Sequence, residues 1–168
     1  TKVVKRDGSM QPLDLEKMHL MVEGACEGLA GVSASQVEIQ SGIQFYDGIS
    51  TAEIQEILIR AASDLIDLDH PNYQYVAARL LLFALRKNLY GRIHELPNLK
   101  DHVAKCVYKG IYDSEILDSY TDEEFDKLET FINHDRDYLF TYAGLRQVVD
   151  KYLVQDRSCL LYTSDAAD

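Results

Sequence analysis

A chain of 168 residues with an apolar fraction of 46% is long enough to bury a core and holds one domain, or one and a part. Its formal charge of −11 excludes a general nucleic-acid binder, which must present a net basic face to phosphates. No apolar run reaches the length of a membrane span and no charged-then-apolar leader opens the sequence, so a cytoplasmic protein is expected.

Cys26, Cys106 and Cys159 show neither CxxC spacing nor a neighbouring His. Reduced, inert thiols are expected rather than zinc or a disulfide framework. The charge is unevenly spread: residues 1–92 hold 9 Lys and Arg against 12 Asp and Glu, residues 93–158 hold 8 against 14. The cations of the first part gather at Lys5-Arg6 and Arg86-Lys87, which makes an acidic protein a candidate binder of a small anion.

In chain order, Val3-Val4 followed by Lys5-Arg6-Asp7-Gly8 reads as the first arm of a β-hairpin, because Gly takes the positive φ of a tight turn at little cost. Two cations on stiff backbone suit a phosphate chain; taken alone, the same pair also fits a solvated turn. The second arm lies near Met10, and Asp14 caps a helix whose apolar positions run from Leu15 to Leu29, ending at Gly28 or Gly31. His19 is read as a surface or boundary residue. Ser35-x-x-Glu38 has the form of a capping box opening a second helix through Val37, Ile39, Ile43 and Phe45, stopped by Tyr46-Asp47-Gly48. Ile49-Ser50 adds a short third strand. Ser50 or Thr51 caps a third helix that buries Ile54, Ile57, Leu58, Ala61, Ala62, Leu65 and Ile66. Asp69-His70-Pro71 breaks the chain.

The fourth helix, about 72–90, is apolar almost all round and must be central; Phe83 and Lys87 stand one turn apart on one face, the cation nearest the helix C-terminus. Residues 91–97 read as a linker. Beyond it, helices are expected over 99–107, after the capping box Thr121-x-x-Glu124 through Phe125, Leu128 and Phe131, and over 142–153. His134-Asp135-Arg136-Asp137, the densest charged cluster, reads as a helix entry with local ion pairs rather than an acid–base pair. The fold class expected is mainly α within α+β: a four-helix bundle capped by a hairpin or three-stranded sheet, then an incomplete all-helical segment.

Val4-Lys5-Arg6-Asp7-Gly8-Ser9, Asp14-Leu15-x-Lys17 and Tyr73-x-Tyr75-x-Ala77-Ala78-Arg79 together resemble the ATP-cone, a nucleotide-sensing domain. The run 43–49, Tyr112-Asp113, Tyr120-Thr121-x-Glu123-Glu124, Ile132-x-His134-Asp135-Arg136-Asp137 and the run 151–155 resemble the start of the class I ribonucleotide reductase large subunit, bacterial aerobic type. The resemblance covers roughly 1–157. It implies an ATP-cone over 1–92 and a truncated helical beginning of the catalytic domain over 93–158. The last ten residues, 159–168, look like translated sequencing adapter.

The resemblance further implies that ATP activates and dATP inhibits the whole enzyme, with Mg2+. Lys5, Arg6 and Lys87 would hold the triphosphate, with Thr51 adding a hydroxyl. Val3, Met18, Phe45, Ile54 and Phe83 would line the slot for base and sugar, and Gln11, Asp14 and Lys17 its polar rim; Asp14 also fits a pure helix cap. Gln11 stands where relatives often have Glu, and Gln55 where close relatives have His. The implied partners are a second large subunit and the radical-generating small subunit, with no catalytic residue or metal ligand in this chain. An ATP-cone transcriptional repressor, which places a zinc ribbon ahead of the cone, is the alternative that the missing CxxC opposes. A helical interaction module without ligand is the other.

Overall fold

The computed structural model describes residues 1–42, 46–155 and 161–164. Strand β1 (Lys2–Val4) pairs antiparallel with β2 (Met10–Pro12), Val3 opposite Gln11, and the turn between them is closed by Lys5 N–H on the Ser9 carbonyl (2.8 Å) and Gly8 N–H on the Lys5 carbonyl (2.9 Å). Gly8 has φ +84°, which an L side chain resists. Strand β3 (Ile49–Ser50) lies parallel to β1 on its other edge, so the opening strand is the middle one of three. Val3 and Ile49, both 1% exposed, anchor that sheet on the helices.

Helix α1 (Leu15–Cys26) starts where Asp14 accepts from Lys17 N–H, as the sequence predicts. Helix α2 (Ala34–Ser41) does not use the predicted box. Its cap is Ser33, two residues earlier, whose hydroxyl oxygen accepts from Gln36 N–H while its own N–H donates to the Tyr73 hydroxyl (3.2 Å). Tethering Ser33 to the fourth helix fixes where α2 begins, and Glu38, released from capping, reaches His19 instead. The helix closes at Gly42 in the left-handed region. The expected continuation through Ile43 and Phe45 lies outside the described residues.

Helix α3 (Thr51–Asp64) opens on Ser50 with a reciprocal box to Glu53, and α4 (Tyr73–Tyr90) runs through the centre. Ala77, Ala78, Leu80, Leu81, Leu82 and Phe83 are all buried, so α4 meets neighbours on nearly every side. Ile66, predicted inside, follows the end of α3 and is 37% exposed.

After a loop come α5 (Leu99–Tyr108), α6 (Glu115–Ser119) and α7 (Asp122–Glu129), the last opened by the predicted Thr121 and Glu124 box. Phe125 is buried, but α7 stops at Glu129 and leaves Phe131 71% exposed. A 3-10 turn (His134–Leu139) leads into α8 (Tyr142–Lys151). Leu145 and Val149 of α8 join the same core as Leu58, Val76 and Leu81, whereas Val103, Cys106 and Phe125 lie outside it. Helix α8 thus packs on the central helix of the first bundle across the expected linker. The backbone of Leu153–Gln155 pairs antiparallel with that of Leu161–Ser164. Among the described residues no helix is long and apolar enough to cross a membrane.

Candidate functional site

Helices α1 and α4 lie side by side in opposite directions. Arg79 donates to the carbonyls of Ala25 (3.4 Å) and Glu27 (2.8 Å) at the far end of α1, while Lys87, two turns later, lies within the field of Lys17 in the first turn of α1. The hairpin turn closes over this end of the bundle. Arg6 Nη2 donates to the Ala84 carbonyl (3.3 Å) and to Gln55 Oε1 (3.4 Å), tying the turn to α4 and α3 at once.

The result is a cluster of four cations drawn from three parts of the chain. Burial comes first, then Lys17, Arg6 and Lys5, in pushing the Lys87 ammonium below the ordinary lysine value. Burial likewise lowers Arg6. Among the described residues none of Lys5, Arg6, Lys17 and Lys87 forms a salt bridge. Positive charges held together without a carboxylate partner repel one another until an anion compensates them. A triphosphate is such an anion, and forked guanidinium and ammonium donors are its usual ligands.

The remaining predicted residues surround this cluster to different degrees. Val3 and Ile54 are buried core residues beneath the ribbon, and Met18 packs half-buried beside them. Thr51 and Gln55 stand on the first turns of α3, next to the strand that pairs with β1. Gln11 is exposed on β2 opposite Val3. Asp14 spends one carboxylate oxygen on Lys17 N–H (2.9 Å), as a helix cap does. Phe45 lies outside the described residues. Phe83, 3% exposed, meets His94 and Tyr138 edge-on, at centroid distances of 6.2 and 6.4 Å, and lines a cavity of about 290 Å³ with Leu20, Met21 and Arg79. None of Lys5, Arg6, Lys17 and Lys87 lines that cavity, so the structure turns Phe83 toward His94 and Tyr138 rather than toward the cluster.

Sequence reasoning grouped Arg86 with Lys87 as one basic patch, and the structure separates them. Arg86 is 5% exposed and pairs with Asp137 (3.0 Å), 51 residues away, so the charged run 134–137 makes a long-range ion pair rather than local ones. Two arginines seven apart in an otherwise apolar helix were the available signal, since buried guanidinium groups need partners.

The chain belongs to the ATP cone domain family, whose pattern matches residues 1–88. Its relatives narrow the comparison further. The chain is 55% identical over 155 residues to the ribonucleoside-diphosphate reductase 1 subunit alpha of Escherichia coli, a match that covers 92% of this chain and 20% of the relative. It is 52% identical to the corresponding subunit alpha of Haemophilus influenzae over the same shares, and 43% identical to that of Enterobacteria phage T4 over 93% of this chain and 20% of the relative. The chain therefore spans about a fifth of the length of the curated relatives it matches.

Proposed function

We propose that this chain is the nucleotide-sensing, activity-regulating region of a cytoplasmic ribonucleoside-diphosphate reductase large subunit, with ATP as activator and dATP as inhibitor. The observation that carries the reading is the cluster of Lys5, Arg6, Lys17 and Lys87, brought together without a carboxylate partner among the described residues. Membership of the ATP cone family and the identity to reductase alpha subunits support the choice of a nucleoside triphosphate over any other anion. In this reading Lys5, Arg6 and Lys87 take the phosphates, and Thr51, Gln55, Gln11 and Asp14 the polar rim. Val3, Met18, Ile54 and Phe83 would offer apolar walls. Mg2+ would arrive on the triphosphate itself, whose oxygens are its usual ligands in nucleotide sites.

Regulation then works by population shift. ATP and dATP must differ in binding free energy between an active and an inhibited assembly, built from a second large subunit and the radical-generating small subunit. The test is calorimetry on the whole chain, because α8 packs on the helix that carries Lys87. Saturable binding of both nucleotides is expected, and Lys87→Ala should weaken both about equally, by roughly tenfold or more, since it removes a charge-assisted contact to phosphate. No heat and no saturation up to millimolar dATP would leave a helical module without ligand.

A further inference from the structure

Among the described residues the buried set includes one charged side chain, Arg86, immediately before Lys87. Its two terminal nitrogens donate beyond the first bundle, while its buried Nε has no partner among the described residues. Nη1 donates to the Ile93 carbonyl and to the Tyr138 hydroxyl (both 3.3 Å), and Nη2 to the His134 carbonyl (3.1 Å) and to Asp137 Oδ2 (3.0 Å). The Tyr138 ring faces both Arg86 (5.4 Å to its centroid) and Arg79 (5.3 Å), and Arg79 holds the end of α1. Two residues before Arg86, the Ala84 carbonyl accepts from Arg6 of the hairpin turn. The last turns of α4 are therefore gripped by the cationic ribbon at Ala84 and by the following segment at Arg86.

We propose that Arg86 is a positioning residue for the phosphate cluster, and that through Asp137 and Tyr138 it passes occupancy of that cluster to residues 134–139. The proposal rests on the nucleotide reading above. A phosphate that draws on Arg6 competes with Ala84 and Gln55 for its guanidinium, which alters the restraint on the turn that carries Arg86 and Lys87. A buried guanidinium cannot follow by sliding away from one acceptor at a time, because each loss leaves an unpaired polar group away from water. The ion pair and the ring stack move with the helix end as a unit.

Coupling between two sites is reciprocal. Loosening the 134–139 contact must therefore change nucleotide affinity, and nucleotide must change the order of 134–139. The experiment uses the whole chain with dATP as probe, read by calorimetry and by backbone hydrogen exchange at 134–139. Asp137→Asn keeps the shape and an acceptor but removes the charge; Tyr138→Phe keeps the ring and removes the hydroxyl; Asp150→Asn, whose partner is Arg146 on the outer face of α8, is the control.

In the unaltered chain dATP should slow exchange at 134–139. Asp137→Asn should weaken dATP by roughly tenfold, within the usual span of site-to-site coupling, and abolish the slowing. Tyr138→Phe should do the same to a smaller extent, and Asp150→Asn should do neither. If Asp137→Asn fails to fold, Tyr138→Phe alone decides. Affinities within twofold of the unaltered chain in both variants, or exchange at 134–139 that ignores saturating dATP, would overturn the coupling while leaving the nucleotide reading intact. Absence of dATP binding in the unaltered chain would remove both.

Discussion

His19 shows how much one side chain on this bundle depends on its neighbours. Its Nδ1 lies 2.6 Å from Glu38 of α2 and its Nε2 3.2 Å from Glu23 of its own helix, and the hydrogen bond to Glu38, reinforced by both negative fields, raises its pKa above the ordinary histidine value. A raised folded value means that the stabilisation is fully present below the unfolded pKa, near 6.5, and is lost as pH climbs through the folded one. Glu38→Gln should move the His19 titration, followed by NMR, back down toward the ordinary value and flatten this part of the pH dependence; an unmoved titration would show that Glu38 is not its partner in solution. The sequence placed His19 at the boundary but could not pair it, because Glu38 looked committed to a cap. At the cluster, by contrast, Lys5, Arg6 and Lys87 stood out in the sequence through their clustering and resemblance, while Arg86 was masked by the lysine beside it. The Cys26 thiol is half-buried, and that burial pushes its pKa up to about 11, which disfavours the reactive thiolate.

Elements were legible where the chemistry of their ends is local. Asp14 and the Thr121 and Glu124 box cap as their spacing indicates, and of the two candidates Ser50 and Thr51 it is Ser50 that caps α3, because a cap is decided within four residues. Helix α2 escaped that logic because its start is held by Tyr73, 40 residues away. The Ser50 cap carries more than its own helix, since Ser50 also pairs with Val4 beside the cationic turn. Ser50→Ala should cost about 1 kcal/mol and lower the melting midpoint by about 2–4 °C. It should also weaken nucleotide binding, because the start of α3 positions Thr51 and Gln55; a lowered midpoint with unchanged dATP affinity would detach the cap from the site.

On the scale of the whole molecule the surprise is where the core ends. The apolar α4 predicted a central helix, and α8 returns to it beyond three intervening helices whose buried residues lie outside that core. No local pattern announces such a return, since Leu145 and Val149 have the spacing of any amphipathic helix. Leu145→Ala should cost about 2–5 kcal/mol, and the loss should appear as one shifted unfolding transition. Two transitions, with the first bundle unmoved, would mean that α8 is dispensable to it.

The middle position of β1 in its sheet has a consequence for synthesis. The turn bearing Lys5 and Arg6 leaves the ribosome before the strand β3 that lies beside its own strand, and well before its lysine counterpart at position 87. The anion grip is therefore an end product of translation of this region rather than its starting point. A nascent chain that has not yet reached Ala84 and Lys87 carries Lys5 and Arg6 without the α4 carbonyl that holds Arg6 or the lysine that faces it.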